Sequence, residues 1–118
     1  MMSILALAVV LADPSQCDAI AKLALANTTV TSARWVDAGP MAQEPAAGAA
    51  AGQRPAAPPI VLPAHCRVAM VMKPSNDSHI EAEVWLPAEW NGKFEAVGNG
   101  GWAGTIGFAA MARALQEG

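Results

Sequence analysis

Apolar positions open the chain as one unbroken run, Ile4 through Ala12, and afterwards recur at two distinct spacings. The nine-residue run is shorter than the ~20 residues of a membrane-spanning helix and matches the ~7–15-residue centre of an export signal. Val10-Leu11-Ala12 puts a small residue where a signal peptidase cuts, so residues 1–12 read as a signal peptide with a trimmed head. Asp13-Pro14 then begins the mature chain. Within residues 13–37, Cys17, Ile20, Leu23 and Ala24 share one face at helical spacing, which predicts a short helix over 17–26. The Thr- and Val-rich stretch Asn27–Asp37 predicts a first strand.

The pattern breaks at 38–59, where nine Ala, five Pro and three Gly leave little to bury. Proline at this density makes an extended loop, here an excursion from one body and not a divider between two. From Ile60 the second domain segment, 60–118, is patterned again. Cys66–Met72 is a largely apolar run and predicts a buried strand. Lys73-Pro74 and Ser75-Asn76-Asp77-Ser78 then turn the chain. His79–Leu86 alternates, with Ile80, Ala82, Val84 and Leu86 on one side and Glu81, Glu83 and Trp85 on the other. That period predicts a half-buried strand paired with its predecessor in a hairpin. Trp90-Asn91-Gly92 turns into Lys93–Val97, a predicted third strand. A glycine-rich loop, Gly98–Gly104, leads to an apolar helical face of Phe108, Met111, Ala112 and Leu115, ended by Gly118.

Composition narrows the function classes. With 53% hydrophobic and 14% charged residues in 118, the chain has the means to build a core. Its net charge is −3 and its seven Lys and Arg are scattered, which excludes the basic stripe that a row of phosphates requires. Two His and two Cys far apart give no metal-ligand spacing. Behind an export signal, the even pair Cys17 and Cys66 reads as one disulfide. Asn27-Thr28-Thr29 and Asn76-Asp77-Ser78 are glycan-acceptor triplets.

The glycine loop carries the candidate chemistry. Four glycines in the seven residues Gly98–Gly104 let backbone N–H groups approach a ligand unobstructed. Dinucleotide binders use such a loop, but Gly98, Gly100 and Gly104 meet G-x-G-x-x-G only loosely. Acyl hydrolases use it to hold the oxyanion of a tetrahedral intermediate.

Four stretches occur in order around this loop: Leu62-Pro63-Ala64-His65-Cys66-Arg67-Val68, Ile80–Pro87, Trp90-Asn91-Gly92-Lys93-Phe94 and Val97–Gly104. The series resembles the amino-terminal portion of the tannase and feruloyl esterase family, well over 60–118 and loosely over 17–37. Trp102 stands where that family more often has Phe or Tyr. The resemblance implies an α/β class chain, the N-terminal strands and first helix of an incomplete α/β-hydrolase fold. It implies a secreted or periplasmic serine carboxylic-ester hydrolase acting on gallate- or ferulate-type aromatic esters, with no nucleic acid or membrane as partner. One oxyanion donor would be a backbone N–H of Gly100 or Gly101, with Trp102 beside the substrate. The family's nucleophile lies in a Cys-Ser-x-Gly-Gly elbow, and no serine here stands in that context or in G-x-S-x-G. The family's lid, which often binds calcium, has no counterpart in these residues, so no cofactor is expected in them. The 118 residues alone are therefore expected to be inactive.

Other residues read as structural. His65 begins a strand, His79 follows a turn, Glu81 and Glu83 lie at i, i+2 on a solvated strand face, and Trp85 and Trp90 read as packing. The alternative reading is a small exported binding module that presents its tryptophans to glycan or phenolic ligands.

Overall fold

The computed structural model describes residues 12–42, 58–99 and 101–118. The predicted signal, apart from Ala12, and the middle of the Ala/Pro stretch lie outside them. The fold is a small mixed one: a three-stranded antiparallel sheet, a two-stranded ribbon and two short helices.

Helix α1 spans Pro14–Ile20, earlier than the 17–26 that periodicity predicts. Its start is set by Asp13, whose Oδ1 accepts from the Gln16 amide at 3.0 Å, and by proline at the first helical position. Past Ile20 the chain turns through Asn27, which takes the left-handed φ of 53° that asparagine tolerates.

Strand β1, Thr28–Val36, matches the expected strand. Its pairing with β4, His65–Met72, is irregular between Val30 and Ser32. This bulge changes the phase of the alternation, so Val30, Ala33 and Trp35 all pack on one core cluster despite their uneven spacing. Strand β5, Ile80–Pro87, completes the predicted hairpin with β4, and the sheet order is β1-β4-β5.

Of the Ala/Pro stretch only residues 38–42 and 58–59 are described. Its two ends are stitched together where β2, Gly39–Pro40, pairs with β3, Val61–Leu62. The Met41 amide adds a bond to the Ile60 carbonyl at 2.7 Å. Helix α2, Phe108–Gln116, follows the glycine loop and ends with Gly118 at φ 95°.

The two sheet faces carry different cores. On one, the Cys17–Cys66 disulfide forms, with Cα atoms 5.5 Å apart, and α1 buries Cys17, Cys66 and Val68 with Ile20, Met70 and Val84 around them. On the other, Leu62, Ala112 and Leu115 bury against Met41, Ile60 and Trp85.

Three expectations are corrected here. Lys93–Val97 forms no strand and Phe94 is 83% exposed. The turn before it is held elsewhere: Asn91 Nδ2 donates to the Glu117 carbonyl at 2.9 Å, drawing the segment to the end of α2 and off the β5 ladder. The apolar side of β5 is only partly covered, with Ile80 and Leu86 exposed, because seven-residue α1 reaches β1 and β4 but not β5. Glu83 is not on a solvated face: its carboxylate is largely covered and bonded by Arg67 and Trp85.

Candidate functional site

An open trough of about 1800 Å³ lies between β5, the irregular 93–99 segment and α2. Phe108 and Met111 line its helix side, Trp85 its floor, and Gly98, Asn99 and Gly104 the rim. The turn at Trp90–Gly92 closes one end. Trp90 Nε1 donates to the Lys93 carbonyl at 2.7 Å, Asn91 Oδ1 accepts from the Lys93 amide at 2.8 Å, and Gly92 takes φ 84°.

Of the glycine pair predicted to hold an oxyanion, Gly100 lies outside the described residues. Gly101 has φ 56°, a conformation that favours glycine. A Cβ built on it would meet nothing within 4 Å, so the site has open space around the backbone. Trp102, predicted beside the substrate, is fully exposed and stands clear of the trough lining. Trp90 is 62% exposed and so is not the packing residue expected.

A partly buried polar cluster on the β4–β5 hairpin is one the sequence does not announce. Arg67 donates from Nε to Glu83 Oε2 at 2.7 Å and from Nη2 to Oε1 at 2.8 Å. Trp85 Nε1 donates to the same carboxylate at 2.8 Å. Burial acts to raise the Glu83 pKa, yet these hydrogen bonds and the charges of Arg67 and Arg34 outweigh it and hold the carboxyl below its ordinary range. The Arg67 guanidinium lies 5.5 Å from the Trp85 ring centre and 5.0 Å from that of Phe108, and the two rings stack 6.1 Å apart. The i, i+2 spacing of Glu83 and Trp85 is the one sequence signal for this cluster, and it becomes informative only once the hairpin register sets Arg67 beside them.

His65 is buried, as a structural histidine would be. Its Nδ1 bonds the Pro63 carbonyl at 2.8 Å and its ring lies 5.3 Å from Trp85. Desolvation lowers its pKa and the Arg67 charge adds to that, against the Pro63 bond, so the ring is neutral at pH 7. His79 is exposed, 3.3 Å from Glu81. Among the described residues no group of three or more His, Cys, Asp or Glu could hold a metal ion, and no helix is long and apolar enough to cross a membrane.

Comparison with known proteins adds relatives. The chain is 36% identical over 108 residues to feruloyl esterase C of Talaromyces stipitatus, covering 88% of this chain and 19% of that protein. It is 37% identical over 86 residues to feruloyl esterase B of Aspergillus niger, covering 72% of this chain and 16% of the relative. An uncharacterized esterase of Xanthomonas campestris pv. campestris is 36% identical over 103 residues, covering 86% of this chain and 16% of the relative. The chain thus spans less than a fifth of the length of these relatives. No family model and no solved structure matches it.

Proposed function

This chain is related to the feruloyl esterase and tannase family, and from that premise we propose that it is the opening part of a secreted serine carboxylic-ester hydrolase acting on aromatic esters. In this reading the sheet and α2 are the first pieces of an α/β-hydrolase fold, and the Gly98–Gly104 loop supplies half of its oxyanion hole. A serine from a further part of the polypeptide attacks the ester carbonyl while a histidine takes its proton and passes it to the departing alcohol. Water then releases the acyl group from the serine. The oxygen that becomes negative accepts a hydrogen bond from a backbone N–H of Gly100 or Gly101, and a second donor follows the serine. A fixed N–H of this kind typically contributes ~100–1000-fold to turnover, but with no nucleophile beside it there is no reaction to accelerate.

The observation that carries the reading is the bend itself: a glycine-rich loop with open space around Gly101, entering a helix on the rim of a wide trough. The disulfide fits an oxidising compartment outside the cytoplasm.

The test compares two polypeptides on methyl ferulate and methyl gallate. The 118 residues alone should give no saturable turnover. The same chain continued in frame through a Cys-Ser-x-Gly-Gly elbow and the acid and histidine that complete the triad should hydrolyse one or both esters. Turnover by the short form, or none by the extended form, overturns the proposal.

A further inference from the structure

Helix α2 has an unusual start. Gly107 occupies the N-cap and offers no side chain, and no side-chain cap bond is made. A nine-residue helix is below the ~12–15 residues at which isolated helices become even marginal. Something else must hold its first turn, because its first amides decide where the glycine loop ends. The later turns have their own anchors: Ala112 and Leu115 in the core, Gln116 Nε2 on the Val61 carbonyl at 2.8 Å, and Asn91 on the Glu117 carbonyl. At the first turn the ring of Phe108 does this. It stacks on Trp85 and lies under the Arg67 guanidinium, which the Glu83 carboxylate holds in plane by two hydrogen bonds.

We propose that Arg67 and Phe108 are positioning residues: their stacked contact fixes the first turn of α2 and thereby the exit of the Gly98–Gly104 loop and the direction of its amides. Two properties suit the pair to this. A planar guanidinium pinned by a carboxylate cannot rotate away from the ring, as a lysine ammonium could. The contact also comes from the central strand β4, the only strand of this sheet flanked by a partner on each side, so loop and helix are referenced to the most rigid part of the sheet. The meaning of the inference rests on the ester-hydrolase reading, but its first test does not.

Hydrogen exchange of the full-length polypeptide reads the first turn directly, through the Ala110 and Met111 amides that bond the Gly107 carbonyl. Phe108→Ala should speed exchange over 106–112 by about tenfold or more and Arg67→Lys by a smaller factor, with peptides of β1 and β4 unchanged. Phe108→Tyr, which keeps the ring, should restore protection. In the ester assay, kcat of Phe108→Ala and Arg67→Lys should fall by about 10–100-fold with KM within about twofold. Wild-type exchange over 106–112 in both variants overturns the inference, as does equal loss of protection throughout the sheet. A full-length wild type that exchanges as expected but hydrolyses neither ester overturns the proposed function instead, and leaves the exchange result to judge the clasp.

Discussion

Both helices of this molecule are too short to stand alone, and the sheet solves that problem differently on its two faces. Helix α1 is covalently tied to the central strand through Cys17–Cys66 and has a capping carboxylate at its start. Helix α2 has neither, and relies on a small apolar cluster and the Arg67–Phe108 clasp. The covalent face is therefore expected to depend on the redox state, and the clasped face on single residues. The glycine loop, which the proposed chemistry needs, leads into α2 on the second face.

The sharpest way to break this contrast is to remove the bridge. Cys17→Ser with Cys66→Ser frees a loop of sequence separation 49 and should lower unfolding free energy by about 4 kcal/mol on the chain-entropy account. Urea denaturation measures that loss, and exchange should show α1 opening while α2 keeps its protection. Leu115→Ala empties a buried position on the other face and should cost about 3 kcal/mol, with the opposite exchange pattern. Arg67→Ala leaves the Glu83 carboxylate without its bidentate partner in a partly buried site, and about 2 kcal/mol is expected from the same denaturation. Asp13→Ala removes the α1 cap for about 1 kcal/mol, which the disulfide should keep from spreading beyond the first turn.

Acidity gives the finest discrimination. The native pKa of His65 lies below its ordinary 6.5 and that of Glu83 below its ordinary 4.5. In each case the unfolded chain takes up the proton first as pH falls, so stability declines with acidification. The His65 contribution is full above pH 6.5 and is drawn down below it, and the Glu83 contribution begins to fall only near pH 4.5. A urea midpoint that drops between pH 7.5 and 5.5 in the wild type, and stays flat in His65→Gln, is the expected result. Equal slopes in the two proteins would remove His65 as the cause.

Local pattern was a good guide wherever a segment's fate depended on its own residues. The alternation of His79–Leu86 and the turn before it specify the β4–β5 hairpin. Asp13-Pro14 also carried a cap-and-first-turn signal. It moves the helix start ahead of the first apolar residue, which periodicity alone could not see.

What depended on partners was not legible. Lys93–Val97 has the residues of a strand, but Asn91 is claimed by the end of α2 and no ladder forms. Glu83 reads as a solvent residue until the hairpin register sets Arg67 beside it and Phe108 of α2 packs on Arg67 and Trp85. Residue order thus determined the hairpin and the cysteine pair, and it carries the likeness to the feruloyl esterases. Assembly alone decided which face each helix covers, which carboxylate is buried and what anchors the glycine loop. The physical reason is range: propensity and period act over a few neighbours, whereas the clasp joins residues 16 and 41 positions apart through a register that exists only after the sheet has formed.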